Sequence, residues 1–304
     1  MGRRRMYGAK KEPMLVKLLD LPGSNLTHYC PKGYKYVDML IMGGGGSGGY
    51  NSGGGGASGT ILYVKDFILS NLSNKQINYR LGNKGDTSNL RYTSVTIDGN
   101  KFDVSEGYGG GSNGFNGSYG GDGGGGGSLN GAQIVSVLTK YVSDVDTCIA
   151  IANNGGGAGG YWNNSESYGY AGGTGASMSG NGIDGRLTSG LQGVYNRDGT
   201  GGNKGGGEGK TSRAYGRGCR WNSIVIPIES VFDNGGGYSG SATGGYGSNG
   251  AGGGGGGAGY GKGGSSVVGA RGEDGGIGSG GGGGHGGQRG GYGGQGGIIL
   301  YYHN

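Results

Sequence analysis

The feature that most constrains this chain is the direct join of an apolar strand to glycine in Tyr34 to Gly59, YKYVDMLIMGGGGSGGYNSGGGGASG. The strand candidate Tyr36 to Met42 runs without any turn residue into a tract where Gly fills ten of the fourteen positions from Gly43 to Gly56. The same join returns at Cys148 to Tyr161, where CIAIANN leads into GGGAGGY, and the glycines of Gly44 to Tyr50 (GGGSGGY) align with those of Gly155 to Tyr161. A looser copy, SVFDNGGGYSG, spans Ser230 to Gly240. Such an internal repeat means that one structural unit is used several times and that its glycine is not a linker.

Glycine supplies 91 of the 304 residues and the hydrophobic fraction is 31%, too little for an ordinary oily core. Collagen demands Gly at every third place and abundant Pro, whereas Pro occurs four times here and the Gly spacing is irregular. Glycine is also the residue of soft linkers and is the costliest to order. Against disorder stand 22 Tyr and apolar strands at the start, middle and end of the chain. An ordered alternative is the extended left-handed helix of three residues per turn, which makes no internal hydrogen bonds. Side by side, such helices of Gly can satisfy one another's N–H and C=O groups, so that glycine becomes the core. The run Gly252 to Gly257 would span roughly 19 Å as an inner helix, and GYGGQGG at Gly291 to Gly297 suits an outer one.

The periodicity predicts strands at Met14 to Asp20, Leu26 to Cys30, Tyr36 to Met42, Thr60 to Asp66, Gln76 to Leu81 and Tyr92 to Ile97, and a last strand at Gly297 to His303 that rejoins the sheet begun at Met14. Val37, Met39 and Ile41 alternate with Leu40 and Met42, and only Asp38 interrupts, so both faces of that strand are expected to be covered. The expected fold is mainly β with little or no α, a small β-sandwich or sheet pack joined to a bundle of polyglycine helices. Three parts are expected: a basic arm at 1–13, a β-rich anchoring part with the first glycine tract at 14–105, and a glycine-rich bundle with Tyr- and Asn-rich loops at 106–304. Within the last part, Ala132 to Ala152 and Ser223 to Phe232 are apolar enough for strands or a short helix.

Charge is local. The first 17 residues hold Arg3, Arg4, Arg5, Lys10, Lys11 and Lys17 against Glu12, which leaves 19 positive and 18 negative side chains in the rest. Nucleic-acid binding needs concentrated cations, and Arg289-Gly290-Gly291 is the single RGG, so a glycine-rich RNA-binding protein is only a second alternative. With this much Gly a GxGxxG match arises by chance about eight times. The tract KGGGEGKT, Lys204 to Thr211, ends like a P-loop but has Lys204 where the first Gly belongs and lacks a flanking strand and helix. His28, His285 and His303 show no ligand spacing, no nucleophile elbow is present, and Cys30, Cys148 and Cys219 are odd in number and far apart, which suits free thiols. No enzyme activity, cofactor or metal is expected. No apolar h-region follows the basic start, Met6 stands where myristoylation needs Ser or Thr, and no apolar run has the length of a membrane helix. Neither export by a signal peptide nor membrane insertion is expected.

Binding chemistry is better represented. Tyr, Ser, Gly and Asn are the side chains of antibody paratopes, since Tyr gives contact area at low entropic cost. Tyr161, Trp162, Asn163, Asn164, Tyr168 and Tyr170 in YWNNSESYGY, with Tyr195, Arg197, Arg213 and Tyr215, are therefore candidate receptor-binding residues, whose rings suit sugar faces. In the basic arm, Arg3, Arg4, Arg5, Met6 and Tyr7 are candidates for docking against an acidic or groove-like partner.

The turn and strand entering glycine in YCPKGYKYVDMLIMGGGGSGG, the later INYRLGNKG and the terminal GGQGGIILYY resemble the glycine-rich domains of phage tail proteins. Similar tracts broken by variable loops occur in the tail-fibre tip adhesins of T-even-type phages. The resemblance covers nearly all of the chain after Lys11. It implies a sandwich of polyglycine helices and a virion protein, present in several copies, that is held to other virion proteins by the arm. It also implies that the loops bind a host-surface glycan or outer-membrane receptor. A non-adhesive protein that decorates or staples the particle is the alternative within the same class. The chain departs from those adhesins in starting with a sheet.

Overall fold

The computed structural model describes residues 11–51, 53–85, 90–112, 131–152, 193–195, 219–221, 264, 270–284 and 287–304. Its eleven strands are β1 (Met14–Leu18), β2 (Asn25–Tyr29), β3 (Tyr36–Met42), β4 (Ile61–Ile68), β5 (Gln76–Arg80), β6 (Thr93–Ile97), β7 (Asn100–Val104), β8 (Ile149–Ala152), β9 (Gly193–Tyr195), β10 (Cys219–Trp221) and β11 (Gly297–His303). Helix is confined to α1 (Gly131–Leu138), α2 (Val145–Cys148) and a single turn of 3-10 helix at Leu69–Asn71 among the described residues. The described residues are thus mainly β. One antiparallel sheet has the order β1-β11-β3-β4-β8 and a second the order β2-β5-β6-β7, while β9 and β10 pair with each other. The chain's last strand lies between β1 and β3, pairing Leu18 with Ile298 and Met42 with Gly297, as the sequence led one to expect.

Alternation of side chains explains how the two sheets pack. Val37, Met39 and Ile41 of β3, with Leu300 and Tyr302 of β11 and Leu62 and Val64 of β4, form one face, which meets Ile77, Val95, Ile97, Phe102 and Val104 of the second sheet in a single core. Ile134 and Leu138 of α1 and the ring of Tyr141, stacked 4.8 Å from Phe67, close its side. The other face of β3 is covered as well, since Leu40 and Met42 are 2% or less exposed. Each buried Leu, Ile or Phe contributes about 2 kcal/mol. Strand β7 carries too few apolar residues to stand out in the sequence pattern. Its signal was Asp98-Gly99, whose φ of 44° and 80° suit the two-residue hairpin turn in which Ile97 faces Asn100.

At one end of both sheets the backbone pairing changes period. Along β3 and β11 partners are matched residue by residue as far as Met42 and Gly297. Beyond them Gly45, Gly48 and Asn51 donate to the carbonyls of Gly294, Gly291 and Gln288. The step is now three residues on each segment, whereas a β ladder bonds at a step of two. The β3–β4 hairpin continues in the same way, through Gly43 to Thr60, Gly46 to Ala57 and Gly49 to Gly54. Segment 43–49 is bonded in addition to 107–110, through Gly107 to Gly44 and Gly110 to Ser47, and to 281–284, through Gly281 to Gly46 and Gly284 to Gly49. Gly272, Gly275 and Gly278 donate likewise to Arg289, Tyr292 and Gln295.

This packing leaves no space for side chains. A Cβ on Gly45 would lie 1.9 Å from Ser279 O, and one on Gly46 2.1 Å from Tyr108 O. Ser47, the next residue, is accommodated, and its Oγ accepts a hydrogen bond from Gly293 N at 3.2 Å. Substitution Gly46→Ala is therefore expected to cost roughly 3 kcal/mol or to prevent folding. Gly99→Asn, at a turn with open space around the position, should cost under about 1 kcal/mol. Denaturant titration of both variants separates a steric demand from a conformational one.

At the opposite end the β6–β7 turn is tied down by Asp98, which accepts Ser73 N at 3.0 and 3.1 Å and Tyr141 Oη–H at 2.9 Å. Burial works against the carboxylate, but the hydrogen bonds from Ser73 and Tyr141 outweigh it and hold Asp98 below its ordinary 3.8. The Tyr141 phenol is correspondingly pushed up to about 12, by burial and by Asp98. A lowered folded pKa contributes stability that is complete above 3.8 and lost as pH falls through the folded value. Asp98→Asn should thus be less stable than the native chain at neutral pH, with the difference closing in acid when both are followed by thermal melting.

Candidate functional site

Of the residues singled out from the sequence, Arg3, Arg4, Arg5, Met6 and Tyr7 in the arm, and Tyr161, Trp162, Asn163, Asn164, Tyr168, Tyr170, Arg197, Arg213 and Tyr215 in the loops, lie outside the described residues. So do the run Gly252 to Gly257 and the tract Lys204 to Thr211. Tyr195 ends β9, opposite Cys219 of β10.

The described side chains with chemistry converge elsewhere, at the end of the sandwich away from the glycine segments. Strand β2 ends there at Tyr29, β3 begins there at Tyr36, and β4 and β11 end there at Ile68 and His303. The turn between β2 and β3, Cys30 to Lys35, forms one wall of an open groove of about 650 Å³, and Ile68 to Ser70, Asn74 and Lys75 form the other. Its lining is aromatic and cationic, with Tyr29, Tyr34 and Tyr36 beside Lys32, Lys35 and Lys75. Tyr29 is 72% exposed. Lys75 is held by the carbonyl of Leu69. The first described residues of the chain lie against the same turn: Lys11 bonds the carbonyl of Lys32 and sits 4.1 Å over the Tyr34 ring, whose hydroxyl donates to Glu12 O at 2.9 Å.

Behind the groove, His28, Cys30 and Tyr302 meet. His28 Nε2 and Tyr302 Oη share a hydrogen bond of 2.7 Å. Burial pushes the Tyr302 phenol up, lowers His28 and raises the Cys30 thiol, which favours the neutral form of each. Cys148 is buried and Cys30 half-buried, both as free thiols.

Beside it stands a charged cluster. A register shift between Val37 and Met39 brings Asp38 against Asp66, and the pairing of β11 with β3 sets His303 across from Tyr36. His303 Nε2 is 3.2 Å from Asp38 Oδ1 and 3.4 Å from Asp66 Oδ1. Asp38 also accepts Asp66 N at 2.7 Å and the hydroxyl of buried Tyr63 at 3.2 Å. Burial raises the Asp38 carboxyl, although the Asp66 N–H and His303 work the other way. The rings of Tyr36 and Tyr301 stack on the imidazole at 5.6 and 5.7 Å. Sequence spacing could not bring these groups together, because 265 residues separate His303 from Asp38. The one available signal was Asp38 itself, the single charge in an apolar strand.

No protein-family model matches the chain and no curated protein is significantly similar to it. No helix among the described residues is long and apolar enough to cross a membrane.

The Tyr302 hydroxyl is a polar link between β11 and β2. Tyr302→Phe is expected to cost about 1 kcal/mol by leaving His28 without its partner, while Tyr29→Ala, on the exposed wall, should change stability by less than about 0.5 kcal/mol. Denaturant midpoints at unchanged slope measure both.

Proposed function

We propose that this chain is a structural, non-enzymatic protein of a phage tail or fibre apparatus, in which glycine tracts form a bundle of three-residue-per-turn helices that displays loops to a host surface. One observation carries the reading. The hydrogen bonds of segments 43–59, 105–111 and 272–296 advance three residues at a time between segments remote in sequence, as left-handed glycine helices packed side by side require. Such a bundle is stiff in cross-section, since each inner backbone is bonded on several sides and has no side chain to rearrange. A rigid post of this kind suits a display scaffold better than it suits catalysis, which draws on positioned polar groups in a cleft.

The layout of the described part supports a polarity for that scaffold. Lys11 and Glu12 leave the sandwich at the groove end, and the glycine segments extend from the other end. Arg3, Arg4, Arg5, Met6 and Tyr7 in the arm would then attach the protein to the particle. The Tyr-, Asn- and Arg-bearing stretch from Tyr161 to Tyr215 would face outward, toward a glycan or an outer-membrane receptor. Aromatic rings with Asn and Arg suit sugar hydroxyls and faces.

Purified full-length protein should compete with particles for adsorption to host cells. A variant with alanine at Tyr161, Trp162, Tyr168 and Tyr170 should fold and lose that competition at least tenfold. Absence of competition by the native protein at saturating dose would move the assignment to a particle component that decorates or staples without touching the host.

A further inference from the structure

We propose that Asp38, Asp66 and His303 bind one divalent transition-metal ion of the zinc class, which clamps the last strand, β11, to the β3–β4 hairpin. The donor atoms of the three side chains lie within 4.8 Å of one another. A zinc ion held at about 2.0–2.1 Å in tetrahedral geometry sets its ligand atoms about 3.3–3.4 Å apart. The imidazole nitrogen already stands 3.2 and 3.4 Å from the two carboxylate oxygens, so an ion can enter with little rearrangement. Asp66, whose side chain is 38% exposed, is the ligand free to turn inward.

Charge favours a cation at this place. Two carboxylates converge on one imidazole, and the Asp38 side chain is only 9% exposed. Lys65 Nζ stands 3.9 Å from Asp66 Oδ2 with its own side chain half in water, and a surface pair of that kind is weak. A divalent ion would neutralise both carboxylates at once. The mixed nitrogen and oxygen donor set selects the ion, because imidazole suits zinc and its neighbours whereas calcium and magnesium take oxygen.

The surroundings are those of a metal site in further respects. Tyr63 Oη–H donates to Asp38 Oδ2 and the Asp66 N–H donates to Oδ1, which fixes the carboxylate as outer partners of metal ligands do. The Tyr36 and Tyr301 rings fix the plane of the imidazole. The His303 side chain is 21% exposed, so water reaches the edge of the cluster. The three ligands come from β3, the bulged part of β4 and β11, and a shared ion would join strands that are adjacent only in the folded chain.

The test uses the full-length protein stripped with chelator. Titration with zinc chloride should show one ion per chain and a rise in Tm. Cobalt(II) chloride should give the intense visible absorption of a four-coordinate site. His303→Gln and Asp66→Asn, both at partly exposed positions, should lose zinc affinity at least tenfold and lose the Tm rise. Failure of the native chain to take up zinc, or equal uptake by either folded variant, overturns the proposal. Should a variant not fold, histidine-ring NMR of the native chain decides: zinc must shift the His303 ring signals, and a shift confined to His28 or His285 overturns it.

Discussion

The interaction on which this protein depends is the hydrogen bond between backbones that approach with no side chain between them. In an ordinary domain the interior is filled by apolar groups and the backbone stays in its ladders. Here Gly45 and Gly48 place their N–H groups on Gly294 and Gly291 while their Cα atoms lie against Ser279 and Gly282. The space is too narrow for a methyl group: an added Cβ on either residue would stand 2.0 Å or less from a carbonyl oxygen. Ordering glycine costs more backbone entropy than ordering any other residue, and the close, multiply bonded contacts are what offset that cost.

These contacts begin as extensions of a β-sheet. Pairing is in strand register as far as Met42, Ile61 and Gly297, and in steps of three beyond them. The sheet therefore acts as a template that sets the spacing and direction of the glycine segments. The second sheet contributes at the same edge, where Thr93 Oγ1–H donates to Met42 O at 2.6 Å and Gly296 N donates to Gly82 O. An oily core of ordinary kind, drawn from Val37 to Tyr302, holds the template, and the glycine segments grow from it. The sandwich thus has two unlike ends, one of bare backbone and one bearing the chemistry of Asp38, Asp66, His303 and the tyrosine-lined groove.

Much of the sandwich was legible. The bounds of β3 and β11 and the return of β11 beside β1 follow from short, dense apolar runs bounded by turn residues or glycine. Strand β7 was not seen, because NKFDV has only two apolar residues, both buried; Asp98-Gly99 marked the hairpin that defines it. The stretch from Ala132 onward, read as strand or short helix, contains both, with α1 ahead of β8. Of the candidate binding residues in the Tyr- and Asn-rich loops and the arm, the described residues include Tyr195, at the end of β9.

What the sequence by itself determined is the alphabet of the structure: strands where β-branched and aromatic residues cluster, tight backbone packing where Gly recurs, and one charge, Asp38, set in an apolar run. What only the tertiary structure decided is who meets whom. Glycine carries no side chain to encode a partner, so the choice of Gly294 for Gly45, or of Ala57 for Gly46, is made by the sheet register behind them. The cluster of Asp38, Asp66 and His303 has the same origin. A register shift between β3 and β4 and the pairing of the last strand place those groups within 3.4 Å of the imidazole, and no spacing along the chain carries that information.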